Sequence, residues 1–231
     1  PTVLKVAEAL KEMFMVTTSF QSMNPLTLRT IKRNNIDHEQ FKTIVEFCDL
    51  NEVETYGELM VMLPNESLES HFKAIRYYFD MNIDFLNINP LILLEGAELN
   101  TKLSRKDHGM KTKWRLMENC YGFYGGEPVI EYQEMVISTN TFQEKELYIV
   151  RPISWLIHMS WNLRRHNILI VFLQTLGINP LDFFLEALYS YKLAHNKVKN
   201  IFVDALNDVE DEYHTTKKKL IKYYSRKKQL D

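Results

Sequence analysis

Three apolar, strand-like runs separated by helical periodicities constrain the first hundred residues more than any other feature of this chain. They span Phe14 to Phe20, Thr55 to Leu63 and Asp84 to Asn89. Asn24-Pro25 predicts a helix start after the first run, because an asparagine side chain caps free backbone N–H groups and proline lacks one at the first helical position. That helix runs to about Arg33. Asp37 caps a second helix through Phe41, Ile44, Val45 and Cys48. After the second run, Pro64-Asn65-Glu66-Ser67 predicts a turn, with Ser67 capping a helix that carries Leu68, Phe72, Ile75 and Phe79 at helical spacing. An amphipathic helix over residues 2 to 13, with Val3, Val6, Ala7 and Leu10 on one side, leads into the first strand. Such alternation argues for a parallel sheet with crossover helices. The unbroken apolar run from Leu59 to Leu63 predicts a strand buried on both faces. Three strands do not close a barrel, and an open edge needs cover.

In parallel architectures the strands point their carboxyl ends at one face, where the loops carry chemistry. Gln21 and Ser22 follow the first strand, and two readings stay open for them: contact with a polar ligand, or closure of a turn. The same pair of readings holds for Asn65. The free N–H groups of the helix beginning at Ser67 could face a ligand.

Beyond Gly96 the character changes. Lys102 to Lys113 reads as a charged loop, Trp114 to Tyr124 is aromatic, Gly125-Gly126-Glu127-Pro128 reads as a turn, and Val129 to Thr139 as a short strand. This segment is expected to wrap the open edge or mouth of the sheet. From Phe142 onward the pattern is helical, over 142 to 163, 167 to 176, 180 to 193 and 197 to 224, with Gly177 as a stop and Asn179-Pro180 as a start. Trp155, Trp161, Phe172, Phe183 and Phe184 are expected to pack rather than to hold a cofactor. The division expected is 1–100, 101–141 and 142–231.

Composition narrows the function classes. A net charge of -2 gives no general reason for nucleic-acid binding. The basic stretch Lys217 to Lys228, interleaved with Tyr223 and Tyr224, follows an acidic one, Asp204 to Glu212; a solvated terminal helix with cations near its negative end accounts for it, and nucleic-acid contact is not expected. Cys48 and Cys120 stand far apart, so neither a disulfide framework nor a zinc site is indicated. A reducing cytoplasm is the expected compartment. The longest apolar run, Asn167 to Gly177, is too short to cross a bilayer. It is expected to be a packed helix, with no membrane partner. His158 and His166 lack a third ligand, so no metal site is expected. Phosphate loops, dinucleotide fingerprints, His-Glu-x-x-His and nucleophile elbows are all absent.

Three motifs in order carry a family resemblance. They are Ser19-Phe20-Gln21-Ser22-Met23-Asn24 followed by Leu28, Ile31-Lys32-Arg33 and Asn35, then Leu63-Pro64-Asn65-Glu66-Ser67, then Gly96-Ala97-Glu98-Leu99. Together they resemble the second half of a radical S-adenosylmethionine (SAM) barrel, in the subgroup often preceded by a cobalamin-binding domain. Residues 1 to 139 are covered, including Lys113-Trp114-Arg115, Tyr121-Gly122 and Glu131-Tyr132-Gln133-Glu134. The resemblance implies an α/β fold, half of a TIM-type parallel barrel with a mostly helical extension. Its first strand would be the fourth of six, with Gln21 and Ser22 toward the ribose or methionine end of S-adenosylmethionine and Arg33 as partner of the cofactor's carboxylate. Pro64, Asn65 and Glu66 would stand beside the adenine, and Asn87 with Ile88 at the end of the sixth strand.

Departures from the family pattern are specific. The CxxxCxxC loop that holds a four-iron, four-sulfur cluster is absent, and two cysteines cannot supply it. Met62 and Asn65 stand where glycines are usual, and Gly96-Ala97 where Gly-Thr is. Gly125-Gly126-Glu127 imitates the methionine-binding triplet but follows the barrel, so that role is not carried over. The implied protein is the carboxyl-terminal part of a radical enzyme acting on an unknown substrate. Its iron-sulfur cluster and any cobalamin would be held upstream, by a missing amino-terminal barrel half or a partner chain. Two rivals remain: a cluster-free binding module, and a helical interaction or RNA-contacting module in residues 142 to 231.

Overall fold

The computed structural model describes residues 2–11 and 13–225; the end of the basic stretch, beyond Ser225, lies outside them. The protein is α/β. Strands β1 (Val16–Gln21), β2 (Thr55–Val61) and β3 (Phe85–Pro90) form a parallel sheet in that order. Helices α2 (Pro25–Thr30) and α3 (His38–Leu50) join β1 to β2, and α4 (Leu68–Asp80) joins β2 to β3. A further helix, α1 (Thr2–Ala9), precedes β1. The caps stand where the sequence predicts them: Asn24 accepts from the N–H groups of Leu26 and Thr27, Asp37 from that of Gln40, and Ser67 from that of Ser70.

The expectation of a second strand buried on both faces is corrected. Thr55, Gly57, Leu59 and Val61 are buried while Tyr56, Glu58 and Met60 are half-buried, so the pleat has one dry face and one polar face. Thr18, Gly57 and Leu86 align across the sheet in one row, and Ser19, Glu58 and Asn87 in the next. The dry face packs under α3 and α4, in a core that includes Phe20, Phe41, Leu59, Ile75, Phe79 and Leu86. The first strand also begins later than expected. Phe14 and Met15 precede it and are 53% and 44% exposed.

Gly57 makes room for a tyrosine. A Cβ at this position would lie 2.3 Å from the Tyr78 ring, which rests against the sheet. The Tyr78 hydroxyl donates to the Thr18 carbonyl at 2.7 Å and accepts from the Phe20 N–H at 3.3 Å. It thereby serves backbone groups at the point where β1 slips register between Ser19 and Gln21.

The two edges of the sheet end differently. Along β3, the Asn162 amide accepts from the Leu86 N–H and donates to the Leu86 carbonyl, both at 2.9 Å, as a neighbouring strand would. Asn162 ends a π-helical stretch (Ile157–Asn162) that continues α6 (Leu147–Leu156), where Trp161 also donates to the Ile83 carbonyl at 2.7 Å. The helix expected over 142 to 163 is thus a composite. Along β1, the Val16 N–H donates to the Glu54 carbonyl on the β2 side; strand backbone groups alternate, so the Ser19 carbonyl faces the outer edge. There Arg33 donates to it at 2.8 Å. A groove of about 770 Å³ follows this edge, walled by β1 and by Leu4, Ile36 and Ile44.

Residues 101 to 141 are more regular than expected. Lys102–Asp107 is a short helix, α5, and Lys111–Tyr124 (β4) pairs with Glu127–Ser138 (β5) as a long antiparallel hairpin. It turns on Gly125 and Gly126, both at positive φ, which glycine adopts at no steric cost. Solvent-facing Lys111 and Glu131 gave the strands a loop-like composition. Beside β5, the segment after β3 adds two bonds: Val136 N–H to the Leu91 carbonyl and Leu93 N–H to the Glu134 carbonyl, at 3.0 and 2.9 Å.

Helices α7 (Asn167–Thr175), α8 (Pro180–Ser190), α9 (Asn196–Glu212) and α10 (Lys217–Tyr224) complete the described chain. One helix over 197 to 224 was expected. It breaks at His214, which exchanges backbone hydrogen bonds with Trp114 of β4 at 2.8 Å each. The helical region is tied to α4 by Arg76, whose guanidinium donates to both oxygens of Asp182 at 2.7 and 2.6 Å.

On α4, His71 is 1% exposed and its Nε2 has no partner. Burial pulls its pKa from 6.5 down to about 4. The neutral ring's stability contribution is present above 6.5 and is lost as pH falls through about 4. We expect urea denaturation to show a loss of about 3 kcal/mol between those values that His71→Leu removes. An equally steep loss in the variant would assign the acid lability to another group.

Candidate functional site

The end of β1 is shaped by an unusual turn. Gln21 has φ 59°, and the Ser22 N–H donates to the Phe20 carbonyl at 2.6 Å, closing a three-residue turn of a strained kind. This reversal sends the Ser22 side chain inward, where it is 1% exposed. At the end of β2, Met62 and Asn65 also take positive φ, of 68° and 63°, at positions where the resembling family carries glycine.

These turns converge on one buried carboxylate. Glu66 is 1% exposed and accepts from the hydroxyls of Ser22 and Ser70. Burial pushes its pKa above the ordinary carboxyl value, against the lowering effect of those hydroxyls and of the Ser67 backbone. Around it, Ser22 Oγ accepts from the Asn24 N–H at 2.9 Å, Asn24 Nδ2 donates to the Asn65 carbonyl at 3.1 Å, and Asn65 Nδ2 donates to Thr30 Oγ1 at 2.8 Å. Thr141, following the hairpin, donates to the Glu66 carbonyl at 2.6 Å. Pro64 is buried beneath this network. Ser22, Asn65 and Glu66 are therefore brought together: the Ser22 and Glu66 side chains satisfy each other, and that of Asn65 is engaged by Thr30.

Two groups at the same strand end are not so engaged. The Gln21 side chain is half-buried and has no hydrogen bond among the described residues. Asn35 donates to the Ser22 carbonyl at 2.8 Å, but its Oδ1 is buried without a partner. A buried amide oxygen left unpaired is costly, and both amides suit a polar, hydrogen-bonding ligand. Asn35 belongs to the motif that follows Gln21 in sequence, although only its neighbours drew notice there as contacts.

The polar face of the sheet carries a second set of groups. Ser19 donates to Glu58 Oε2 at 2.7 Å, the Tyr56 hydroxyl lies 3.4 Å from Glu58 Oε1, and Asn87 Nδ2 donates to Asn89 Oδ1 at 2.9 Å. Burial and then the Glu58 charge raise the Tyr56 pKa. Asn87 and Ile88 also line a cleft of about 670 Å³ beneath the carboxyl-terminal helices, with Trp155, His158, Arg151 and Asp208 across from them. No hydrogen bond joins Asn87 or Ile88 to the Ser22–Glu66 cluster among the described residues. Arg33 stands apart again, on the outer edge of β1.

Cys48 is fully buried beside Ala7 and Val53, and Cys120 lies in the hairpin at a register slip. No group of three or more His, Cys, Asp or Glu residues able to hold a metal occurs among the described residues. A thiolate-held cluster therefore does not fit this chain.

Comparison with known proteins adds a weak likeness. No family model matches the chain. A cobalamin-dependent radical SAM methyltransferase, TokK of Streptomyces tokunonensis, is 29% identical over 127 residues, which are 54% of this chain and 18% of the relative. The matched part thus spans less than a fifth of that relative's length.

Proposed function

We propose that this chain is the carboxyl-terminal part of a radical SAM enzyme, supplying half of an S-adenosylmethionine cradle and much of the cover over the substrate. The observation that carries the reading is the three-stranded parallel sheet with one helix-covered face and one polar face, ending in the Gln21 amide and the Asn35 amide oxygen, neither with a partner among the described residues. A barrel wall likewise has two unlike faces, one under the helices and one toward the lumen. The outer edge of β1 is where the preceding strand of a missing amino-terminal half, or of a partner chain, would pair. In this scheme residues 1–100 form the half barrel, 101–141 wrap it, and 142–231 form a helical extension. The likeness to a radical SAM methyltransferase supports the same reading.

Within this proposal Gln21 and Ser22 frame the ribose or methionine end of the cofactor. Pro64, Asn65 and Glu66 shape the adenine side, and Asn87 with Ile88 open onto the substrate cleft. Arg33 uses one donor on the Ser19 carbonyl; a guanidinium has five, which leaves others for a carboxylate. S-adenosylmethionine, when bound, supplies the radical precursor, and this chain's part is to orient it and to exclude water. The iron-sulfur ligands are assigned outside this chain, as is cobalamin where the enzyme carries it.

In the complete enzyme, Gln21→Ala is expected to weaken S-adenosylmethionine binding about tenfold, the equivalent of one lost hydrogen bond to the ligand. The thermal midpoint should not move. Calorimetric titration of this variant and of Arg33→Ala is the check. Unchanged affinity in both would leave these side chains purely structural roles.

A further inference from the structure

Strand β1 carries one residue more than β2 at its carboxyl end. Ser19 lies opposite Glu58 and Gln21 opposite Leu59, so Phe20 has no partner of its own. Unbroken pairing would set Gln21 against Met60; the bulge holds it one position back. Bulges are rare between parallel strands, and beside binding sites they re-aim side chains. Here the next two residues are the ones re-aimed: Gln21 takes its positive φ, and Ser22 turns inward to Glu66.

A bulge deprives backbone groups of their ladder partners. At this one a side chain of α4 supplies them. The Tyr78 hydroxyl accepts from the N–H of Phe20, the extra residue, and donates to the carbonyl of Thr18. Among the described residues no other side chain bonds to the backbone of either. The Phe20 ring is fixed against those of Phe41 and Tyr78, at 4.7 and 5.7 Å between centroids. Tyr78 itself is 1% exposed, so its oxygen is out of a ligand's reach.

We propose that Tyr78 is a positioning residue for the ligand at this strand end, an inference that rests on the assignment of Gln21 to S-adenosylmethionine. The hydroxyl holds the bulge, and the bulge sets where the Gln21 amide stands. Affinity thereby depends on an atom that does not touch the ligand. Such coupling is reciprocal, so a ligand held by Gln21 stabilises the bulge in turn.

Calorimetric titration of the complete enzyme with S-adenosylmethionine tests this on Tyr78→Phe, Gln21→Ala and the double variant. Tyr78→Phe keeps the ring and loses only the hydroxyl. It is expected to weaken binding about tenfold, as much as Gln21→Ala does, and the double variant should bind no more weakly than either alone. A hydroxyl that only stabilised the fold would lower the thermal midpoint without this non-additivity. In the unaltered enzyme, saturating S-adenosylmethionine should slow hydrogen exchange at the Phe20 amide, a readout that needs no variant to fold. Three results each overturn the proposal while leaving the cofactor assignment in place: parent-like affinity in Tyr78→Phe when Gln21→Ala binds weakly, additive losses in the double variant, or Phe20 exchange indifferent to the ligand. Parent-like affinity in Gln21→Ala overturns that assignment and the proposal with it.

Discussion

Gly57→Ala is expected to destabilise the protein by about 4 kcal/mol in urea denaturation, above the usual range for overpacking because the obstructing group cannot retreat. The added methyl would sit 2.3 Å from Tyr78 Cε1 and 2.7 Å from Cδ1. Withdrawal of the ring would strip the Thr18 carbonyl and the Phe20 N–H of their shared partner. The clash is local to this pair, so a double change, Gly57→Ala with Tyr78→Ala, should cost less than the sum of its parts. A cost below about 1 kcal/mol for Gly57→Ala alone would mean that the ring has room to move, and that the β1 turn does not depend on it.

The second large effect belongs to Glu66. Glu66→Ala should cost about 4 kcal/mol, since it leaves the buried Ser22 hydroxyl without its acceptor and opens a void where the strand ends meet. Glu66→Gln keeps the volume and shows the titration instead. The folded pKa of Glu66 is raised by burial. Its contribution is therefore fully present below the unfolded value of 4.5 and is lost as pH rises through the folded value. The glutamine variant should lack that decline, so its stability relative to the parent should improve with rising pH. Parallel curves for the two would show that folding does not raise the Glu66 pKa. The slope is opposite in sign to that of His71, which lowers stability toward acid.

How far the sequence reveals this arrangement depends on how local each cause is. The caps at Asn24, Asp37 and Ser67 were legible because a cap is decided within four residues. The parallel order of the three strands followed from their alternation with helices. Glu58 was missed because the burial of the second run was judged from its unbroken apolar part, Leu59 to Leu63, and the polar members of its pleat, Tyr56 and Glu58, precede that part. Tyr78 gave no signal, since its role depends on Gly57, distant in sequence. The β4–β5 hairpin was legible only at its Gly125-Gly126 turn, because its outward side chains are those of a loop. At the site, position after a strand was enough to single out Gln21, Ser22 and Asn65, and Glu66 was singled out by the family resemblance. Which of them would lock together, and which would be left with open hydrogen-bonding capacity, depends on the reversal at Gln21. The cap on β3 by Asn162 rests on a π-helical distortion that no periodicity announces.

The central claim, that this chain is the carboxyl-terminal part of a radical enzyme, is tested most directly by sequencing the coding DNA immediately upstream of the Pro1 codon. The account predicts an open reading frame there, continuous with this one or belonging to a partner chain, that encodes a CxxxCxxC loop and strands able to pair with the free edge of β1. A start codon directly before Pro1, with no neighbouring frame carrying that loop, would contradict it.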